Sequence, residues 1–376
     1  MSTLRYEDGA VQLRQRIICA LLSRRPLLVK NIRSDDTDPG LRDYEASFLR
    51  LIEELTNGTT IEINETGTQF RMKPGVIVNG SVEHDCGIGR SVGWFLEGIV
   101  GIAWAGKRDL NLTLRGVTDG CEKDECSADF VKNSMLPILK RFGVGVEEDE
   151  SPPPMLRVSR RGAAPLGEGE IDFFCPMAKS LSPIDMTNPG KIKKVRGNAI
   201  SCKIPPTSPS RSAHAAKGVL HKLIPDVWIH TDANSRSKDG PGGCGPSPGL
   251  KIILTCESTT KMVMTAETCM DHEAERGSVL PEDLGVEAAT MLLEEIRKGG
   301  CVDTASQSLA LLLMCLCPED VSRIRIGSIS RYTIASLRLF KAVFGVTMKV
   351  TADKDSKTVL LSCLGTGFKN WSKKVT

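Results

Sequence analysis

Five histidines, thirteen cysteines and an acidic run near residue 36 carry much of the reactive chemistry available to this 376-residue chain. Imidazoles and thiolates serve as nucleophiles or metal ligands, and clustered carboxylates hold Mg²⁺ or act as general bases. The histidines are His84, His214, His221, His230 and His272, so none lies beyond residue 272. His214 and His221 share one face of a helical pattern and read as surface or packing side chains. Cys121 and Cys126 are spaced too widely for a zinc knuckle. Cys315 and Cys317 sit in the apolar run LALLLMCLC with no second ligand pair nearby, so these thiols read as buried and structural. The run SDDTDPG, with Asp35, Asp36 and Asp38, is the local carboxylate cluster that invites Mg²⁺-assisted hydrolysis, but Asp38-Pro39-Gly40 reads more simply as a turn and helix start. Neither a metal nor a cofactor is expected.

A last candidate lies in SRYTIASLRLFKAVFGVTMKV, residues 330–350. Ile334, Leu337, Phe340 and Phe344 repeat at helical spacing, Gly345 is placed to end the helix in a left-handed turn, and Val346, Met348 and Val350 then alternate as in a half-buried strand. The helix opens on Arg331 and Tyr332, at a strand-to-helix junction where many enzymes place a small nucleophile or a histidine.

The elements that must position these residues belong to a folded chain, 40% hydrophobic and 25% charged. No apolar run approaches the roughly 20 residues of a membrane helix, and no membrane partner is expected. The start MSTLRYEDGA lacks signal-peptide features, so the thiols are expected to stay reduced in cytosol or nucleus. A net charge of +3 is too small to mark a nucleic-acid binder. Clustering says more: Arg14, Arg16, Arg24, Arg25 and Lys30 form one basic group, Lys191, Lys193, Lys194 and Arg196 a second, and Lys369, Lys373 and Lys374 a third.

Helical patterns followed closely by strand patterns recur. Leu13, Ile17 and Leu21 lead into LLVKNI; Leu41, Tyr44, Phe48, Leu51 and Leu55 lead through Asn57-Gly58 into TTIEI. Phe142-Gly143-Val144 and Phe344-Gly345-Val346 repeat one junction. Helices and strands alternate too locally for separate all-α and all-β domains, which makes the fold class α/β or α+β. From about residue 193 to residue 278 the chain changes character, with PPTSPSRS, a helical stretch, the strand DVWIH and the loop SRSKDGPGGCGPSPG, as in a small inserted domain. Ser235 to Pro248 is expected to be mobile.

Five stretches carry a resemblance: DPGLRDYEASFLRLIEELTNGT (38–59), TGTQFRMKPGVIVNGS (66–81), RGAAPLGEGEI (161–171), PEDLGVEAATMLLEEI (281–296) and GTGFKNWSKK (365–374). Together they resemble the RNA 3′-terminal phosphate cyclases, and within them the cyclase-like branch of eukaryotic ribosome assembly. The resemblance implies three repeated units of two helices on a four-stranded sheet, with a smaller α/β domain inserted before the last. That divides the chain into repeats 1 and 2 (1–192), the insert (193–278) and repeat 3 (279–376).

The family's enzymes use ATP to activate an RNA 3′-phosphate through a covalently adenylylated histidine, and the position matching that nucleophile is Tyr332, within one residue. A phenol with a pKa near 10 is a poor substitute at neutral pH. Other departures accompany it. The glycine-rich N-terminal signature is here Asp8-Gly9-Ala10-Val11, which keeps Arg14 but loses glycines and a Gln. ASQSLALL puts Ser306 where the enzymes carry an Asp, keeping Gln307, and a third glycine-rich turn holds Glu168. Arg14, Arg16, Arg42 and Arg331, in segments that line the enzyme cleft, are candidates for a residual anion pocket, with Lys193 and Lys194 as further RNA contacts. The resemblance therefore implies a non-cyclising interaction factor of small-subunit ribosome biogenesis, needed for pre-rRNA cleavage in the nucleolus of the nucleus. Its implied partners are a ribosome-assembly GTPase, pre-rRNA and a small nucleolar ribonucleoprotein particle. A direct endoribonuclease is the alternative.

Overall fold

Short strands and helices alternate from the N-terminus onward. In the computed structural model, which describes residues 2–120, 125–145, 152–234, 243–270 and 280–370, the first elements are β1 (Leu4–Tyr6), α1 (Leu13–Ser23), β2 (Leu27–Val29) and α2 (Asp43–Leu55). Then come β3 (Thr56–Asn57), β4 (Thr60–Ile63), β5 (Phe70–Lys73) and β6 (Val76–Ile77). A four-stranded sheet runs β1-β2-β5-β4, and β3 pairs with β6. In α2, Phe48, Leu51, Ile52 and Leu55 recur on one helical face and all are buried. Its first turn is closed by a capping box in which the Glu45 carboxylate accepts the Arg42 backbone N–H at 2.9 Å.

The next elements are β7 (Gly80–Asp85), α3 (Val92–Val100), β8 (Leu110–Gly116), α4 (Ala128–Phe130), a π turn (Val131–Met135), α5 (Leu136–Arg141), β9 (Met155–Arg161) and β10 (Gly169–Cys175). Leu110, Leu112 and Leu114 of β8 alternate inward, as do Ile171, Phe173 and Cys175 of β10. After β11 (Asp185–Met186) follow β12 (Ile192–Cys202), α6 (Thr207–Leu220), β13 (Val227–Asn234), β14 (Gly243–Cys244), β15 (Gly249–Ser258), β16 (Val263–Cys269) and α7 (Pro281–Lys298). β14 joins the edge of a five-stranded sheet, β14-β9-β10-β8-β7, while β13-β12-β15-β16 form a separate sheet. Helices α6 and α7 cover one face of the latter, giving a second core that includes Val195, Ala216, Leu220, Ile229, Leu254 and Leu292. This layer continues past residue 278, because α7 begins at Pro281 and packs into it.

The loop expected to be mobile lies partly outside the described residues, at 235–242. The rest of it, 243–248, is tied down, which corrects that expectation. Gly245 N–H donates to the Arg161 carbonyl at 2.7 Å, and the buried Ser247 hydroxyl accepts from Leu166 N–H at 3.1 Å.

The chain ends in α8 (Gln307–Leu316), β17 (Val321–Ile326), α9 (Arg331–Phe344), β18 (Lys349–Asp353) and β19 (Thr358–Leu364), with a sheet ordered β11-β17-β19-β18. The whole is a mixed α/β fold. Every residue of α8 is buried, as expected for a helix apolar almost all round. Helix α9 starts and stops as its sequence requires: Ser330 caps the N–H of Thr333, and Gly345 takes φ 72°. Its inner face differs from expectation. The buried stripe is Thr333, Ser336, Leu339, Phe340 and Val343, while Ile334 is 41% exposed. Two hydroxyls belong to that stripe because each finds a partner on α8: Thr333 donates to Gln307 Oε1 at 2.8 Å and Ser336 accepts from Ser308 Oγ at 2.9 Å. The following strand begins only at Lys349, on the sheet's edge, with Val350 in solvent rather than half-buried. Among the described residues no helix is long and apolar enough to cross a membrane. Cys126, Cys315 and Cys317 are buried free thiols; Cys269 is disulfide-bonded, which departs from the fully reduced expectation.

Candidate functional site

Helices α1, α3, α8 and α9 meet at the position matched to the enzyme nucleophile. Tyr332, the second residue of α9, sends its hydroxyl toward Glu97 of α3, where Oε1 accepts at 3.4 Å. The other oxygen of Glu97 pairs with Arg14 of α1 at 2.7 Å. The Arg14 guanidinium lies 4.4 Å from the Trp94 ring centroid and also donates to the Trp94 carbonyl. These side chains saturate one another. Burial works against the Arg14 charge, but Glu97 outweighs it and the guanidinium stays firmly protonated. Burial, then the neighbouring Glu97 charge, push the Tyr332 phenol well above its ordinary value. At neutral pH that oxygen carries its proton, and the nearby carboxylate makes losing it harder still. The arrangement holds a phenol; it does not generate a phenolate nucleophile.

Gln12 completes the closure. In the left-handed conformation at the head of α1, it donates to the Tyr332 carbonyl at 3.2 Å and to Ser336 Oγ at 2.9 Å. This glutamine, Glu97 and Trp94 were not picked out by the sequence reading. Gln12 stands one residue after Val11, where motif matching expects nothing, and Glu97 lies in an apolar helix whose partners are distant in sequence. Ser306 is buried as the N-cap residue of α8, its hydroxyl 2.7 Å from Ser134 Oγ, while its N–H donates to Asp303 at 2.9 Å. Burial pushes the Asp303 carboxyl up to about 6. Gln307 binds α9 through Thr333 rather than pointing at open space.

The remaining candidate residues are dispersed. Arg16 is buried, pairs with Asp8 at 2.6 Å and lies 4.1 Å over the Tyr6 ring. Arg42 bonds Asp38 and, at 3.1 Å, Asp36, so the acidic run is used to clamp a loop at the start of α2. Lys194 pairs with Glu257 at 2.9 Å. Arg331 and Lys193 are exposed. The structure thus brings Arg14 and Tyr332 together, with the carboxylate that neutralises the arginine between them; Arg16 shares α1 with Arg14 but pairs with Asp8, and Arg42, Lys193 and Lys194 lie on other elements.

A larger buried charge cluster lies elsewhere. Lys251 of β15 is 1% exposed, 3.2 Å from Asp129 of α4 and 3.1 Å from Glu267 of β16. Arg161 of β9 binds Asp129 and, at 2.8 Å, Asp119, and the Ser127 N–H donates to Glu267 at 2.8 Å. The cluster fastens the sheet β13-β12-β15-β16 to the five-stranded one. Single charges among apolar neighbours in sequence gave no sign of it.

A family model, RNA 3′-terminal phosphate cyclase, matches residues 5–350. The chain belongs to that family. It is 43% identical over 371 residues to the RNA 3′-terminal phosphate cyclase-like protein of Homo sapiens, covering 97% of this chain and 96% of the relative. The cyclase-like protein of Bos taurus is also 43% identical, over 372 residues and the same shares of each chain. The rRNA processing protein rcl1 of Schizosaccharomyces pombe is 40% identical over 381 residues, covering the whole of both.

Proposed function

We propose that this chain acts in rRNA processing as a non-cyclising RNA- and protein-binding factor of small-subunit ribosome biogenesis. The observation that carries the non-cyclising half is the closed triad of Tyr332, Glu97 and Arg14. A covalent adenylate route needs a deprotonated nucleophile and free cations for the triphosphate; here the phenol is held protonated and Arg14 is already paired and stacked. The rRNA half is supported by the fission-yeast relative's name and by full-length similarity to it. On this reading the protein works in the nucleolus on early pre-rRNA, beside a small nucleolar ribonucleoprotein particle and a ribosome-assembly GTPase. The division into two cyclase-like repeats, an insert from about residue 193 and a third repeat belongs to the same proposal. So does RNA contact by Arg331 and Lys193, whose exposure is compatible with it.

Crosslinking the protein in cells, followed by identification of the attached RNA and protein, tests the reading. Pre-rRNA spacer and small-subunit sequence, recovered with a GTPase, is the expected result. Recovery of unrelated messenger or transfer RNA in their place would overturn it.

A further inference from the structure

The sheet β13-β12-β15-β16 is covered by helices on one face only along its first strands. In β13, Val227 and Ile229 turn toward α6 and α7 and are buried, whereas the alternating Trp228 and His230 are exposed. Trp228 is 67% exposed, in contrast to Trp94 at 9% and Trp104 at 0%. Leaving an indole in water forgoes a large burial gain, and the exposed ring offers an aromatic face to a ligand. β13 lies at the edge of its sheet, so only β12 flanks it. The parallel register sets Arg196 beside Trp228 and Asn198 beside His230.

Charge surrounds the ring. Lys217 Nζ lies 5.9 Å from the Trp228 centroid, and the Arg196 guanidinium is held nearby by a two-pronged bond to Asp226 at 2.8 and 2.9 Å. The Arg196 bond, assisted by the charges of Lys194 and Lys193, keeps the Asp226 carboxyl below its usual range, as a locally positive field would. Lys194 pairs with Glu257 and Arg196 with Asp226, while Lys193 and Lys217 add positive charge beside them. Aromatic rings stack on unpaired bases, cations meet the phosphates between them, and amide and imidazole groups bond base edges.

We propose that the exposed end of this sheet, centred on Trp228 with His230, Arg196, Asn198 and Lys217, is a stacking surface for single-stranded RNA. The proposal rests on the RNA-binding half of the function above and supplies its location. A duplex hides its base faces and is a poor ligand for such a platform. A peptide adding as a strand to the β13 edge would use backbone groups and has no need of the indole or the flanking cations.

The test uses the full chain, an unstructured single-stranded RNA of about a dozen nucleotides, and the matching duplex, with binding read by anisotropy of the labelled RNA and by tryptophan fluorescence. Stacking quenches Trp228, and the quench is to vanish in Trp228→Ala while affinity for the single strand falls roughly tenfold. Trp228→Phe is to keep most of the affinity. Lys217→Ala is to reduce the slope of log affinity against log salt by roughly 0.7. The exposed position of Trp228 leaves the fold intact in these variants. Unchanged affinity in Trp228→Ala, or equal affinity for the duplex, would overturn the proposed surface while leaving RNA binding by the chain standing. Absence of RNA binding by the wild-type chain would overturn both.

Discussion

Lys251→Met will destabilise the folded chain by about 3–5 kcal/mol at neutral pH, the scale of breaking a buried ion pair from one side. The substitution keeps the volume but removes the cation that lies between Asp129 and Glu267, all three residues being at most 8% exposed. Burial pushes the Asp129 carboxyl up, yet Lys251 and Arg161 outweigh it and hold it well below the usual carboxylate range. A carboxyl lowered in the folded state contributes stability above its unfolded value near 3.9, and that stability is lost as pH falls toward the folded value. Removing Lys251 therefore shrinks a contribution present at pH 7 and absent in strong acid, so the difference between wild type and variant narrows as the pH is lowered through 4. Urea denaturation across that range measures it. Adding Glu267→Gln to Lys251→Met should recover part of the loss, because the remaining buried charge is then smaller.

Glu97→Ala will cost about 3 kcal/mol, by the same rule applied to a pair slightly open to solvent. It strands Arg14, whose side chain is 12% exposed, with only the Trp94 ring and carbonyl for company. Tyr332→Phe, by contrast, removes one long hydrogen bond and should cost under about 1 kcal/mol. The contrast identifies Glu97 as the residue that holds the site shut, with the tyrosine as its cover. Equal losses in the two variants, measured by denaturation at pH 7, would show that the phenol carries more of the closure than its geometry allows.

The helices and strands were legible wherever burial follows apolar spacing. The inner face of α2 and the caps of α9 fall in this group, since Phe48, Leu51 and Leu55, Ser330 and Gly345 act locally. The inner face of α9 was misread because Thr333 and Ser336 are buried through hydroxyl partners on α8, a pairing that hydropathy does not encode. The site shows the same limit. The family resemblance located Tyr332 and Arg14, both of which the structure brings to one cluster, but Glu97 is far from either in sequence and decides what both can do. Arg16 and Arg42 stood as anion-pocket candidates because their partners Asp8, Asp36 and Asp38 are equally consistent with solvent-facing turns until the chain folds.

The most direct measurement of whether this cleft retains cyclase chemistry is incubation of the purified full chain with α-labelled ATP and Mg²⁺, followed by denaturation and detection of label on the protein. With the Tyr332 phenol held protonated beside Glu97 and Arg14 committed to that carboxylate, the predicted result is no covalently bound label, in the wild-type chain and equally in Tyr332→His, whose imidazole would still face Glu97 and an Arg14 already paired and stacked. Stoichiometric, acid-labile adenylate on the wild-type chain would contradict the account.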